Sequence, residues 1–268
     1  VLIHAALILC CAACAYPLLR MISVSLRPGD RLISTDLSFI PAGASLDSYR
    51  NVLGKTGFLM WLWNSLVITC VTSLVGVSLA STAAYAFSRF KFPGSKLGLL
   101  LLLGTQMIPA SMLLLPLFLM IVRLGLINTY LGMIIAYSVS SLPFSIWLLK
   151  GYYDTIPRSL EEAALVDGTT RFGAFYRIVL PLSTPALAIA FLFNFTTAWN
   201  EYLVARVVLS DSRMYTWTLG LFELQGQYLT QWGMFAAGSF LVTIPVLCVF
   251  LYTSKWLVSG LTMGGVKG

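Results

Sequence analysis

The chain has 268 residues, of which 58% are hydrophobic and only 10% are charged, and its mean hydropathy is +0.86. Soluble domains carry about 25% charged residues, so this composition excludes a soluble globular protein and predicts an integral membrane protein. The apolar runs have the length of helices rather than of short alternating barrel strands, which predicts an all-α polytopic fold. The net charge of +7 indicates loops that face anionic membrane lipid, and it does not indicate a nucleic-acid partner.

Six apolar stretches each come close to the ~20 residues that a helix needs to cross a bilayer. We place these spans at about 2–22, 62–88, 97–122, 130–150, 183–205 and 235–258. They form one transmembrane domain, residues 1–268. Pro109 and Pro116 interrupt the third span. In the second span, small residues recur every four positions and predict close approach of a neighbouring helix; they are Gly76, Ala80 and Ala84.

The side chains that metals and nucleophilic enzymes need are scarce. His4 is the only histidine, so we assign neither a catalytic residue nor a metal site to the chain. Five cysteines lie in apolar runs without zinc-ligand spacing, and we interpret them as small buried apolar side chains. They are Cys10, Cys11, Cys14, Cys70 and Cys248. Because the chain begins at Val1 without a methionine, we expect further residues before it.

One polar segment, residues 151–182, separates the fourth span from the fifth. Its first predicted helix covers about 157–166, because proline suits a first helical position and Gly168 can supply a left-handed stop. A second helix follows to about 179, capped by one of the two threonines, Thr169 or Thr170. Four apolar residues recur along it with helical spacing and predict one apolar face, which needs a partner surface. They are Phe172, Phe175, Tyr176 and Val179.

A motif in the 151–182 segment resembles the EAA loop of ABC-importer permeases, written EAA-x3-G-x9-I-x-L-P. The sequence fits every fixed position, with Glu162, Ala163, Ala164, Gly168, Ile178, Leu180 and Pro181. The resemblance implies that these residues form a cytoplasmic coupling helix, which docks in a cleft on an ATP-hydrolysing subunit. We hypothesise that Glu162 and Gly168 transmit the motion, Glu162 by a polar contact to that subunit and Gly168 by permitting the turn.

The whole chain is similar to the carbohydrate-importer permeases, in particular those of the maltose/maltodextrin type. Besides the EAA motif, the similarity is carried by residues 198–203 in the fifth span and by the glycine-rich tail, residues 260–268. It implies a second permease subunit, two ATPase subunits, and an external solute-binding protein that delivers a sugar. It implies that ATP and Mg are bound by the ATPase subunits, so that this chain binds no cofactor and is not itself an enzyme. It also implies that three tail residues contact the ATPase dimer: Gly264, Gly265 and Lys267.

Lysine and arginine in the short loops predict the orientation in the membrane. The loop 89–96 carries three basic residues and no acidic one, residues 150–182 carry four basic residues, and the tail side carries Lys255 and Lys267. We therefore predict that these regions and both termini lie on the cytoplasmic side of a bacterial inner membrane. The loop 23–57 is basic too, although the alternation of six spans puts it outside.

Polar residues of the fifth span predict a polar face at membrane depth. Asn194, Thr197 and Glu201 fall at i, i+3 and i+7, with Asn200 nearby. Such a face points at a partner helix or at a wet cavity, so it either joins helices or lines a translocation path for a sugar. The path, if present, is polar and has almost no charged residues, which favours a large neutral hydroxylated solute over an ion.

Several alternatives stay open from the sequence. The solute could be maltodextrin, trehalose, another oligosaccharide or glycerol phosphate. A secondary transporter would usually show intramembrane ionisable groups or inverted repeats, and neither is clear here. The aromatic residues of 206–234 form an interfacial belt, a docking surface for the solute-binding protein, or a re-entrant piece; they are Tyr215, Trp217, Phe222, Tyr228 and Trp232.

Overall fold

The computed structural model describes residues 2–29, 38–226 and 230–265, with side chains up to Trp256. These residues form helices and connecting turns and contain no strand, in agreement with the all-α prediction. The helices in chain order are α1 (Leu2–Ser25), α2 (Asp47–Lys55), α3 (Phe58–Arg89), α4 (Ser95–Thr105), α5 (Ala110–Arg123), α6 (Tyr130–Thr155), α7 (Arg158–Val166), α8 (Arg171–Ala174), α9 (Leu180–Leu182), α10 (Thr184–Trp199), α11 (Leu203–Val208), α12 (Trp217–Glu223) and α13 (Trp232–Gly265). A π-helical turn, Phe175–Val179, joins α8 to α9, and a 3-10 turn, Ser212–Met214, precedes α12.

The described residues contain four helices that are long and apolar enough to cross a membrane, namely α1, α3, α6 and residues Trp232–Trp256 of α13. Two bent pairs of helices pass the same test. Helices α4 and α5 meet at 102°, and Arg171–Leu182 meets α10 at 78°. If each bent pair is one span, the described residues hold up to six spans, so the polytopic fold is confirmed.

The bend between α4 and α5 has a proline at its end. Pro109 has an extended backbone (φ −54°, ψ 130°) directly before α5 begins, and it has no N–H to continue the helical ladder. The predicted interruption at Pro109 is therefore confirmed. The one at Pro116 is wrong, because α5 continues through this residue. Neighbouring backbone adjusts to a proline inside a membrane helix, so a proline there does not have to end it.

The chain clusters into two compact units, one made of Val1–Ser65 and Asp211–Val246 and the other of Leu66–Ser210 and Leu247–Gly268. In the first unit, the Trp61 indole lies against Gly220, where an added Cβ would be 2.1 Å from the ring. Trp61 is therefore buried, whereas its neighbour Trp63 is exposed, as a residue of an interfacial belt would be.

The second unit has a core in which small residues let helices pack closely. Ala80 and Ala84 of α3 are fully buried there, together with Leu149 and Tyr153 of α6 and Ala190 of α10. The close approach predicted from the small residues of α3 is therefore confirmed. The hydroxyls of Ser81 and Tyr153 are 2.8 Å apart within this core, so the contact between α3 and α6 also has a buried polar link.

The cysteines are not buried in the chain, contrary to the sequence prediction. Four are exposed and Cys70 is partly exposed. The exposed ones lie in α1 and α13 (Cys10, Cys11, Cys14 and Cys248). The prediction equated an apolar neighbourhood with burial inside the protein, but an apolar helix that spans a bilayer can expose the same side chains to lipid.

Candidate functional site

The first helix of the 151–182 segment has the predicted limits. Helix α7 begins at Arg158, directly after Pro157, and ends at Val166. Gly168 adopts a left-handed backbone (φ 84°) and donates its N–H to the carbonyl of Leu165 at 3.1 Å. The N–H of Thr169 reaches back to the Ala164 carbonyl at 2.9 Å, which satisfies the last carbonyls of the helix in the manner of a glycine C-cap.

The second helix begins where predicted but is less regular. The Thr170 hydroxyl, and not that of Thr169, accepts the cap hydrogen bond from the N–H of Gly173 at 3.1 Å. After α8 the chain widens into the π-helical turn, where the Leu180 N–H donates to the Phe175 carbonyl five residues back. Turns of this kind are rare and are frequently found at functional sites.

The predicted apolar face of this second helix is divided. Phe175 and Val179 are buried in the core of the second unit, whereas Phe172 and Tyr176 are 68% and 50% exposed, with ring centroids 4.6 Å apart. The prediction that the whole apolar face needs a partner surface is therefore only partly confirmed, because the core of the chain itself covers Phe175 and Val179. Only the aromatic pair Phe172 and Tyr176 remains accessible for contact with a partner protein.

Most of the EAA motif lies at the surface of the second unit. Glu162, Ala163, Gly168 and Pro181 are exposed, and Ala164, Ile178 and Leu180 are partly exposed. Val166 at the end of α7 is 87% exposed. The motif therefore offers a carboxylate and apolar side chains to solvent or to a partner, in the part of the segment where α7 packs against α8.

Glu161, which the sequence did not assign to the site, forms a buried ion pair. Its carboxylate lies 2.5 Å from Nε of Arg89 at the end of α3, and the two side chains are only 9% and 7% exposed. The Tyr85 hydroxyl donates to the other carboxylate oxygen at 2.7 Å. A buried charge is costly unless it is paired and hydrogen-bonded, and here both conditions are met.

Further hydrogen bonds tie the end of α3 to the α6–α7 junction. Arg89 Nη2 donates to the carbonyl of Ile156 at 3.1 Å, and Arg158 Nη2 donates to the carbonyl of Ser88 at 2.9 Å. The Ser88 hydroxyl donates to the Asp154 carboxylate at 2.7 Å. The start of α7 is thus held to α3 by an ion pair and several hydrogen bonds.

Sequence reasoning missed this cluster because its members lie 72 residues apart in the chain. One local observation could have indicated it. Glu161 and Glu162 are adjacent in a short helix, and successive helical residues point about 100° apart. The two carboxylates therefore could not both occupy the same face. The sequence does not identify the partner of the inward one.

The fifth predicted span is broken, which separates the residues assigned to the translocation path. Helix α10 ends at Trp199 and α11 begins at Leu203, so Glu201 does not continue the helical face of Asn194 and Thr197. Its carboxylate instead accepts hydrogen bonds from the N–H groups of Val204 and Ala205 at 3.0–3.2 Å, which caps the start of α11.

The other path candidates differ in exposure. Asn194 is fully buried, and its Oδ1 accepts from the Ser145 hydroxyl of α6 at 2.8 Å. Its Nδ2 finds no acceptor among the described residues. Thr197 is partly exposed, and Asn200 is exposed and donates its side-chain amide to the Thr196 carbonyl at 2.8 Å.

The tail residues are only partly described. Gly264 and Gly265 have helical backbone at the end of α13, and Lys267 lies outside the described residues. Among the part of the chain that the structure describes, no group of three or more His, Cys, Asp or Glu side chains is placed to hold a metal ion.

Comparison with known proteins gives a consistent result. Residues 73–255 match the family described as the binding-protein-dependent transport system inner membrane component. The maltose/maltodextrin transport system permease protein MalG of Salmonella typhimurium is 39% identical over 284 aligned residues, covering 99% of this chain and 95% of that protein. The protein of the same name from Escherichia coli K12 is 38% identical with the same coverage.

A solved structure has the same fold. The chain superposes with a TM-score of 0.80 and 23% identity on a chain of a bacterial ABC transporter involved in the import of the acidic polysaccharide alginate, covering 95% of each chain. The family match spans the EAA motif together with α6 and α10, and the relatives align over almost the whole chain. The protein therefore belongs to the binding-protein-dependent transport system inner membrane component family, the membrane permeases of ABC importers.

Proposed function

We propose that the chain is one permease subunit of an importer for maltose or maltodextrins. The assignment of the substrate rests on the 39% identity, over 99% of the chain, to a maltose/maltodextrin permease. The polar but mostly uncharged side chains of α6 and α10 support a neutral hydroxylated solute. Trehalose, another oligosaccharide and glycerol 3-phosphate are the competing substrates that the experiment below distinguishes.

In this proposal the chain pairs with a second permease and works with two ATPase subunits and an external solute-binding protein. ATP and Mg are bound in the ATPase subunits, where hydrolysis takes place. The 151–182 segment and both termini face the cytoplasm. The exposed carboxylate of Glu162 and the exposed pair Phe172 and Tyr176 then meet the ATPase surface, and the tail with Gly264, Gly265 and Lys267 also contacts it.

The contacts of Glu161 support a route for mechanical coupling. A partner that moves α7 also moves the end of α3, because the Arg89–Glu161 ion pair and the Tyr85 hydrogen bond join them. The Phe175 and Tyr85 ring centroids are 4.6 Å apart, so the second half of the segment also contacts the end of α3. Movement of the segment would thereby reach two membrane helices, α3 directly and α6 through its short junction with α7.

We propose that transport takes place by alternating access, in which movement of the membrane helices opens the substrate path. Asn194 is fully buried between α3, α6 and α10, so it could meet a sugar only when these helices separate. Its free Nδ2 donor would then find a hydroxyl acceptor, in addition to the bond that Oδ1 already accepts. Thr197, Asn200 and Glu201 are the other candidates for contact with the solute in this path.

Transport by the reconstituted complex tests the proposal. The full chain would be co-expressed with the proposed second permease and ATPase subunits, placed in proteoliposomes, and supplied with the proposed solute-binding protein. We expect ATP-dependent uptake of labelled maltose or maltotriose, and ATPase stimulation by the loaded binding protein. Stimulation of the ATPase activity by trehalose or glycerol 3-phosphate alone would reject maltose and maltodextrins as the substrate. Uptake that needs no ATP would reject the importer mechanism.

A further inference from the structure

A basic pocket lies beside the coupling contacts and shares Ser88, Asp154 and Arg158 with them. It has a volume of about 560 Å³ and lies between the end of α3, the 90–94 turn, the start of α4 and the end of α6. Its charged lining residues are four cations and one carboxylate, namely Lys91, Lys96, Lys150, Arg158 and Asp154.

Two of these cations are already engaged and two are not. Lys150 is ion-paired with Asp154, and Arg158 donates to the backbone carbonyl of Ser88. Lys91 and Lys96 are exposed and make no hydrogen bond or ion pair with any residue that the structure describes. The pocket therefore has an excess of positive charge and two ammonium groups available for an anion.

The pocket also has an apolar rim. Phe87, Phe90 and Phe92 contribute to its lining, and Phe90 and Phe92 are exposed. The helix that leaves the pocket, α4, presents Leu97 and Leu100 on its surface and belongs to a pair that could cross a membrane. Free phosphate would satisfy the ammonium groups but would leave this apolar surface uncovered, whereas a lipid would satisfy both.

We propose that this basic pocket binds the headgroup of an anionic phospholipid, with Lys91 and Lys96 on the phosphate and the acyl chains along α4. Basic pockets between membrane helices at the cytoplasmic surface bind anionic lipid headgroups in this way. A zwitterionic lipid fits less well, because its own cationic group would enter a pocket that already carries excess positive charge. The inference rests on the proposed cytoplasmic orientation of this surface, but it does not depend on the identity of the transported solute.

Native mass spectrometry of the purified complex tests the site. The complex is delipidated in detergent and then given phosphatidylglycerol and phosphatidylethanolamine at equal concentration. We expect preferential retention of phosphatidylglycerol, and about a thirtyfold weakening of its binding in the double variant Lys91→Gln/Lys96→Gln. The matched control is Lys55→Gln/Arg123→Gln, which removes two exposed cations elsewhere and should leave binding unchanged.

Each other outcome overturns the proposal. Equal loss in both double variants would assign the retention to overall charge. Displacement of phosphatidylglycerol by excess inorganic phosphate would identify a free-phosphate site. Equal retention of the two lipids would show that the pocket does not select an anionic headgroup. Failure of Lys91→Gln/Lys96→Gln to assemble, with an unchanged melting temperature of the chain itself, would mean that this surface contacts a partner subunit.

Discussion

Glu161 and Glu162 are adjacent in the chain and have opposite environments. Glu161 is buried against Arg89 and Tyr85, whereas Glu162 is exposed. The EAA motif begins at the exposed one. The residue that holds the segment in place and the residue that faces a partner are thus separated by a single peptide bond, and substitution should separate their effects.

The first prediction concerns this pair. Glu161→Ala leaves the buried Arg89 without its counter-charge, which costs about 3–5 kcal/mol of stability. Glu162→Ala removes an exposed carboxylate and should change stability by less than about 0.5 kcal/mol. It should nevertheless reduce ATPase stimulation, if the proposed contact is made. Thermal unfolding in detergent measures the first effect and the reconstituted ATPase assay the second.

A double substitution provides the control. Arg89→Leu/Glu161→Leu removes both charges, and a buried ion pair replaced by apolar side chains is often nearly neutral for stability. We expect the double variant to regain much of the stability lost in Glu161→Ala. A double variant that is less stable than Glu161→Ala would contradict the electrostatic explanation and would point to packing of the two side chains.

The second prediction concerns Gly168, whose backbone is left-handed. Proline cannot adopt this conformation and lacks the N–H that bonds to Leu165. Gly168→Pro should therefore leave the protein in the membrane but abolish sugar-stimulated ATPase activity. Asparagine tolerates a left-handed backbone, and an added Cβ would meet no atom within 4 Å. Gly168→Asn should therefore keep most of the stimulation, and equal loss in both variants would contradict this role of the turn.

At the scale of elements, the second helix of the 151–182 segment has two functions. Its inner residues Phe175 and Val179 fix it to the core, and its outer pair Phe172 and Tyr176 remains accessible. The π-helical turn lies between α8 and Pro181, and the 78° bend lies between Pro181 and Pro185. The irregular backbone lets one short stretch both pack inward and present a surface outward.

The third prediction separates these two roles. Phe172→Ser should leave the melting temperature nearly unchanged, because the ring is exposed, but should weaken co-purification with the ATPase subunits. Phe175→Ser opens a cavity and buries a hydroxyl, and should cost about 3–5 kcal/mol, as other losses of a buried aromatic ring do. If Phe172→Ser destabilised the chain as strongly as Phe175→Ser, the outer pair would have to be part of the core.

The fourth prediction tests the close contact between α3 and α10. An added Cβ on Gly76 would lie 2.8 Å from Nδ2 of Asn194, so Gly76→Leu overpacks the contact and should cost at least about 1–3 kcal/mol. Gly104 of α4 has no atom within 4 Å of the equivalent position. Gly104→Leu should therefore have little effect, and thermal unfolding in detergent compares the two. Equal stability of both variants would show that α3 and α10 can separate freely at this point.

At the scale of the whole molecule, the described chain offers four spanning helices or up to six with the bent pairs. The orientation predicted from the basic loops assigns the 151–182 segment to the cytoplasm. That assignment is essential to the proposed function, because ATPase subunits can dock only on the side where ATP is available.

The fifth prediction tests this orientation by cysteine labelling. After replacement of the native cysteines, Val166→Cys should react with a membrane-impermeant maleimide only in inside-out vesicles. Val166 suits this test because it is highly exposed. Ser212→Cys, in the segment predicted outside, should react only in right-side-out vesicles. The reverse pattern would rule out both the orientation and the docking of an ATPase on α7.

The sequence by itself determined the features that depend on neighbouring residues. Apolar runs of sufficient length defined the spans, and Pro157 and Gly168 defined the limits of α7, because capping and backbone preferences act over one turn of helix. The seven residues of the EAA motif were identified in the same way, since their spacing lies within one short segment.

Only the tertiary structure decided which of these residues face the protein interior. The pairing of Arg89 with Glu161, the burial of Phe175 but not Phe172, and the end of α10 at Trp199 were all absent from the sequence prediction. Each depends on how helices far apart in the chain pack together. A helical period indicates that a face exists, but it is the neighbouring helix that determines whether protein, lipid or solvent covers it.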